Sequence, residues 1–353
     1  MPVRLDSLAA ALDHGFDALI DVRSPAEFAE DRIPGAINLP ALSNEERATV
    51  GTIYVQDSAF RARKIGAALV ARNVASHLEG PLAGMDGGWR PLVYCWRGGQ
   101  RSGSVATILK AVGWRADTVE GGYQSWRRRV VAETYEAPPA SRVVLIDGNT
   151  GTAKTEVLQR LAAAGHQAID LEGLAHHRGS LFGGRGGQPA QKGFDSAVAA
   201  ALGRLDPGRP VFVEAESSKI GDLLIPPGLF AAMRDAPRIE IAAPPEARAA
   251  YLVRAYADIV ADGARLDEVL GRLRRIQGAE RVAAWQEMAR AGAFEALALD
   301  LVHRHYDPRY AKSRSRSEGR IAARVTTDRL EDADLDRLAD EIAARAAAPG
   351  PAA

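Results

Sequence analysis

Val93-Tyr94-Cys95-Trp96-Arg97-Gly98-Gly99-Gln100-Arg101-Ser102 decides how the first part of the chain is read, and it holds the protein's only cysteine. Pro91-Leu92-Val93-Tyr94 is an apolar run that reads as a buried strand ending at Cys95. An apolar-periodic segment from Ser102 to Val112 follows and predicts a helix. Ser102 suits its N-cap, so the loop closes onto a helix start. Backbone N–H groups there, with Arg97 and Arg101 beside them, make a site for an anion and favour a thiolate. A free cysteine has a pKa of about 8.5, and such surroundings lower it. Gly98 and Gly99 let the backbone curl round the sulfur where a Cβ would clash. The pattern reads as the seat of a nucleophile, Cys95, with Trp96 to Ser102 as its anion loop.

Working outward, Ala18-Leu19-Ile20-Asp21-Val22 is a short strand. Ser24-Pro25-Ala26-Glu27 then fits a capping box, with Pro at the first helical position and Phe28 on the buried side. Ile33-Pro34-Gly35-Ala36 turns the chain into a strand at Ile37-Asn38-Leu39. A helix is expected from Asp57 or Ser58 to about Arg72, with Ile65, Ala68 and Leu69 at core spacing. Asp117-Thr118-Val119-Glu120 is the last strand of this part, and Gly121-Gly122 leads to a helix carrying Arg127, Arg128 and Arg129. Alternating strands and helices predict an α/β domain with a mostly parallel sheet over residues 1–136.

Glu136-Ala137-Pro138-Pro139-Ala140-Ser141 reads as a linker, at 137–141. Arg142-Val143-Val144-Leu145-Ile146-Asp147 is a continuous β-branched strand that feeds Gly148-Asn149-Thr150-Gly151-Thr152-Ala153-Lys154-Thr155 and a helix over Glu156–Ala164. This is a P-loop in its proper context. Its amides would cradle phosphates, Lys154 would reach the terminal one, and Thr155 would ligate Mg2+. Ala153 stands where the motif has glycine, and strain is expected there if the position needs an unusual φ. Pro210 to Ser218 holds a second buried strand ending in Glu214, Glu216 and Ser217, placed for a metal or a water. Arg238-Ile239-Glu240-Ile241-Ala242 is a third. Between the first two runs Asp170 to Gly184, whose Asp170, Glu172, His176, His177 and Arg178 are candidate substrate or metal contacts. Residues 142–245 are thus expected to form a P-loop-like α/β domain.

Residues 246–348 read as a helical region packed on that domain and contacting nucleic acid: 245–260, 267–278, 281–292 and 334–347 show apolar 3.6 spacing. Arg274 and Arg275 lie in one basic cluster; Lys312, Arg314 and Arg316 form a second run without interleaved acid. Residues 349–353 read as a disordered tail. The chain has 353 residues, 46% hydrophobic and 25% charged, with formal net charge zero. Any nucleic-acid partner must therefore be held by local basic patches. No apolar run approaches the ~20 residues of a membrane helix, no signal pattern opens the chain, and one cysteine cannot form an internal disulfide. A cytoplasmic enzyme is expected.

Asp21 to Phe28, Ile33 to Asn38, Cys95 and Glu120-Gly121-Gly122-Tyr123, in this order, resemble a rhodanese domain. The resemblance implies a cysteine carrying sulfur or selenium as a persulfide-type adduct. Cys95 and Arg101 have five residues between them, a longer loop than usual in sulfurtransferases, which suits a tetrahedral anion such as selenophosphate or a phosphate ester. With Gly148 to Thr155, Asp170 to Gly184, Gln188-Pro189-Ala190-Gln191 and Val213 to Gly221, nearly the whole chain is similar to the tRNA 2-selenouridine synthase family. That resemblance implies replacement of sulfur by selenium in 2-thiouridine at the wobble position of tRNA. Selenophosphate would be the donor and an S-geranyl intermediate would be made from geranyl diphosphate. It also implies tRNA as partner, a selenophosphate-supplying enzyme as a further one, Mg2+ beside the phosphates, and no tightly bound organic cofactor. Three other readings stay open: a persulfide sulfurtransferase with an appended nucleotide-binding domain, a cysteine phosphatase, and a non-enzymatic tRNA-binding module.

Overall fold

The structure, a computed structural model, describes residues 2–180, 182–184, 186–309 and 320–347. The chain divides into two compact units: one runs up to Ala137 and adds Pro189–Arg204, the other comprises Pro138–Gln188 and the chain from Leu205 on.

In the first unit β1 (Ala18–Asp21), β2 (Ile37–Asn38), β3 (Pro91–Tyr94) and β4 (Asp117–Thr118) form a parallel sheet in the order β2-β1-β3-β4. All four residues of β3 are buried, because both sheet faces are covered. Val93 and Cys95 enter a cluster with Ile20, Val22, Leu109 and Trp114, whereas Leu92 and Tyr94 enter another with Leu8, Trp126 and Val130. The period of two thus places Cys95 at the end of a central strand with its side chain in one core. The Ser24–Glu27 capping box forms as expected, although Phe28 is only half-buried.

Two local expectations are corrected, and one helix is added. The helix capped by Ser58 runs on to Glu79 and buries Ala62, Gly66, Val70 and Val74, so Ala68 is exposed and Ile65 and Leu69 are only half-buried. A further helix, Asn44–Gln56, precedes it behind its own capping box at Ser43 and Glu46. The helix after Cys95 starts at Gln100 with Gly99 as N-cap, not at Ser102.

The helix Gln191–Leu202 belongs to the first unit, unlike the expected 142–245 domain. Polar burial explains it. Asp195 and Ser196 are buried; Asp195 accepts from Arg127 at 2.6 Å and from Tyr135 at 2.8 Å. Ser196 accepts from Trp126 Nε1 and donates to Asp31, both at 3.0 Å. Buried groups of this kind demand partners, and these lie on the first unit.

The second unit holds β5 (Val143–Asp147), β6 (Gln167–Ile169), β7 (Val211–Glu214), the antiparallel pair β8 (Lys219–Ile220) and β9 (Leu223–Leu224), β10 (Arg238–Ala242) and β11 (Ile321–Thr326). Five of these form a parallel sheet in the order β11-β10-β5-β7-β6. The order reverses about β5, so the end of β5 is the switch point where such sheets take ligands. Residues 246–348 are therefore not wholly helical: β11 extends the sheet. The helix Asp332–Ala347 packs Leu335, Leu338 and Ile342 with Val157 and Leu161 of the helix Lys154–Ala163. No described helix is long and apolar enough to cross a membrane.

Candidate functional sites

Cys95 follows β3 directly, and its Sγ accepts from Gly99 N at 3.3 Å and from Ser102 Oγ at 3.2 Å. Ser102 is thus a partner of the sulfur rather than a cap. Burial pushes the thiol up, but Ser102, the Gly99 amide and the charge of Arg101 outweigh it, and the pKa falls below its ordinary value. The two glycines have different reasons. A Cβ on Gly98, at φ +68°, would stand 2.7 Å from Val119 O, so glycine is needed against the neighbouring loop rather than the sulfur. Gly99 faces open space. From the other side a Cβ on Gly122 would meet Cys95 O.

Arg101 donates to Glu27 at 3.0 Å, which also takes Arg47 at 2.9 Å. Beneath the loop Arg23 is buried; it grips Asp21 at 2.6 Å and lies 4.0 Å from the Tyr123 ring centre. Tyr123 in turn packs on Trp96. Arg97 and Gln100 are exposed. The arrangement offers a nucleophilic sulfur at a helix N-terminus with cations at its rim.

At the end of β5 the P-loop folds as expected, and Ala153 adopts the left-handed conformation, φ 59°, ψ 29°. That costs an L-residue roughly 1–2 kcal/mol, while its methyl is buried in the sheet's core. Lys154 Nζ donates to Gly148 O at 3.0 Å and Thr155 to Glu172 at 2.9 Å. Two residues without a local motif brace the loop. Arg248 is buried, donates to Thr150 O at 2.9 Å, and holds Asp307 at 2.7 and 3.0 Å; Asp307 also accepts from Asn149 at 2.9 Å.

Glu172 and Glu216 converge on this loop. A Cβ on Gly179 (φ +66°) would stand 2.5 Å from Glu172 Oε1 and 2.9 Å from Glu216 Oε1. Burial and the charge of Glu172 push Glu216 up to about 8 against the pull of Lys154. Burial also raises Glu172, opposed by Lys154 and Thr155. The Glu172–Glu216 pair therefore holds a proton more tightly than two free carboxyls would. Glu214 turns inward, fully buried, with Oε2 on Leu171 N at 3.0 Å and burial raising it well above the usual range.

Of the remaining candidates only Asp170 joins this group, its charge adding to burial in raising both Glu214 and Glu172. Asp170 caps a short helix through Gly173 N, His176 is exposed, and Ser217 bonds Lys219 O. His177 accepts from Gly179 N and is held below its ordinary pKa by burial. Arg178 pairs with Asp258 at 2.8 Å over the Tyr256 ring. Of the cations expected to contact tRNA, Arg127 is tied to Asp195 and Arg129 bonds Leu5 O, while Arg128, Arg274 and Arg275 are exposed. Lys312, Arg314 and Arg316, like the tail at 349–353, lie outside the described residues.

One feature escaped the sequence. An open apolar cleft is lined by Phe182, Leu252, Tyr256, Phe294, Leu301 and Tyr306 among others. It adjoins the P-loop: a Cβ on Gly151 would stand 3.0 Å from Leu252 Cγ and 3.2 Å from Arg248 Cβ. Helix Pro245–Ala255 thus offers Arg248 to the loop and Leu252, one turn on, to the cleft.

A reactive-cysteine loop on one parallel sheet and a P-loop on a second define a two-domain α/β protein. Residues 4–129 match the rhodanese-like domain and residues 141–268 the tRNA 2-selenouridine synthase AAA domain. The tRNA 2-selenouridine synthase of Aeromonas salmonicida (strain A449) is 34% identical, covering 93% of this chain and 94% of its own length. That of Ectopseudomonas mendocina (strain ymp) is 35% identical, covering 86% and 88% respectively. The chain belongs to the tRNA 2-selenouridine synthase family.

Proposed function

We propose that this protein converts 2-thiouridine at the wobble position of tRNA to 2-selenouridine in two steps. In the first, the base sulfur attacks the allylic carbon of geranyl diphosphate. The carbon–oxygen bond breaks, diphosphate leaves, and the base loses its N3 proton. Gly148–Thr155 holds the diphosphate, with Lys154 leaving Gly148 O to meet it. The cleft beside Leu252 takes the hydrocarbon chain. That cleft is the observation that carries the reading: a phosphate cradle alone suits any nucleotide, whereas an apolar cleft adjoining it suits a prenyl diphosphate.

In the second step selenium from selenophosphate adds to C2 of the base and geranylthiol departs, taking up a proton. Water then cleaves the P–Se bond and releases phosphate. Alkylation serves this step because a thioether sulfur leaves far more readily than a thiocarbonyl sulfur. The Cys95 thiolate and its rim of Arg97 and Arg101 serve the selenium half of the reaction.

Mg2+ fits the phosphate site only in part. Thr155 Oγ1 and Glu172 supply hard oxygens beside Lys154. Among the described residues no group of three or more His, Cys, Asp or Glu side chains could hold a metal ion. An ion there would be shared with substrate phosphate and would offset charge on the departing diphosphate.

Nucleoside mass spectrometry on thiolated tRNA tests the scheme, with geranyl diphosphate, selenophosphate or both supplied. Geranyl-thiouridine is expected from the first mixture and selenouridine from the third. Cys95→Ala should abolish selenation and spare geranylation, whereas Lys154→Ala should stop geranylation. Loss of both products in Cys95→Ala would sink this division of labour. No product in any mixture with wild-type protein, alongside turnover of a persulfide without tRNA, would favour a sulfurtransferase.

A further inference from the structure

Between β2 and β3 the first unit carries a helical hairpin, Asn44–Gln56 and Ala59–Glu79, that neither reaction centre uses. Its first arm has no buried residue. Glu46, Val50 and Ile53 form its only half-buried stripe, and Val50 packs close over Gly66 of the second arm. Where the arms meet, Tyr54, Val55 and Phe60 are 60%, 83% and 73% exposed. Large side chains left in water this way, grouped at one tip, mark a contact surface.

The charge around that tip is one-sided. Over the whole hairpin five cations face four carboxylates, but Glu45 and Glu46 sit at its root and Glu79 at its far end, so the tip itself carries Arg61, Arg63 and Lys64 against Asp57 alone. Asp57 neutralises Arg61. Arg63 bonds only a backbone carbonyl, Ala59 O, and Lys64 and Arg72 are exposed without an ion-pair partner among the described residues. Lys64 lies one turn from Phe60 on one helix face, opposite the buried Ala62, Gly66 and Val70. The hairpin's root is also tied to the reactive loop: Arg47 and Arg101 donate to the same oxygen, Glu27 Oε2.

We propose that this hairpin docks RNA: unpaired bases of the substrate's loop stack on Tyr54 and Phe60, and flanking phosphates sit on Arg63, Lys64 and Arg72. Aromatic faces interleaved with unpaired cations are the pattern of single-stranded nucleic-acid binding. The proposal rests on tRNA being the substrate, and it adds where the RNA is gripped.

The test is binding of a synthetic stem–loop RNA carrying 2-thiouridine in its loop, followed by fluorescence anisotropy across a salt series. The triple variant Arg63→Glu, Lys64→Glu, Arg72→Glu should bind at least about tenfold more weakly. Its salt slope should be shallower by about 2, at roughly 0.7 per single-strand phosphate contact. Phe60→Ala should weaken binding on the order of tenfold, and Phe60→Trp should restore it. All these positions are exposed, so thermal stability should hold, and turnover at saturating RNA should be unchanged. Wild-type affinity in the variants would overturn the proposal and leave the patch to a protein partner. A wild-type protein that binds no RNA would overturn the substrate assignment as well, so the two failures are distinguishable.

Discussion

The Cys95 loop and the P-loop are built alike and charged oppositely. Each follows the central part of a parallel sheet and opens a helix, and each is braced by a buried arginine holding an aspartate. In the first, every nearby group lowers the reacting atom's pKa against burial: an amide, a hydroxyl and a guanidinium all favour the thiolate. In the second, burial raises two carboxyls, helped by the charge of Glu172 on Glu216 and of Asp170 on Glu172, and Lys154 only moderates the effect. Strand–loop–helix geometry thus fixes where a ligand sits, while side chains decide whether the site supplies charge or stores a proton.

The largest effect should come from the two braces. Asp21→Ala strands Arg23 in the core, since both partners are buried, and should cost about 3–5 kcal/mol of unfolding free energy. Asp307→Ala should cost less, because Asp307 is 30% exposed and water reaches the freed guanidinium. Denaturant melts of the two variants check this; equal losses would mean the braces differ less than their burial suggests.

Next comes the sulfur. Ser102→Ala removes a hydroxyl donor from Sγ, so the thiol pKa should rise and iodoacetamide alkylation near pH 7 should slow by about three- to tenfold. An unchanged pH profile of alkylation would assign the low thiol pKa to Gly99 and Arg101 instead.

The smallest effect belongs to Glu216. Its folded pKa, about 8, exceeds the unfolded value, so the folded state binds more protons between about pH 4.5 and 8. Stability should therefore fall as pH rises through that window. Glu216→Gln should flatten this slope while leaving stability near pH 5 little changed. Melting temperatures measured at several pH values would show it, and an undiminished slope would shift the raised pKa to Glu172 or Glu214.

Both loops were legible because their signals are local: an apolar strand, glycines and a helix start within ten residues. The capping box at Ser24 was legible for the same reason. Ser43 and Glu46 carry the same signal for the helix Asn44–Gln56, but that helix buries nothing fully, so no apolar period accompanies it. β11 falls inside the region expected to be helical, and no buried apolar run marks it, because at the sheet edge Ile321–Thr326 buries only Val325. Arg248 and Asp307 support the P-loop from about a hundred residues or more away in sequence. No spacing within a motif could reveal them. Ser102 reads as a cap in sequence but donates to the Cys95 sulfur in the fold, and the two roles look the same along the chain.

The helix Gln191–Leu202 has a consequence for biosynthesis. As the chain emerges from the ribosome, everything up to Ala137 is available early, yet Trp126, Arg127 and Asp31 still lack their partners on Asp195 and Ser196. The reactive-cysteine unit can close only after the P-loop strand and its helix have already been made. A fragment cut at the apparent linker would therefore lack the partners of Trp126, Arg127 and Asp31 and remain an unfinished module.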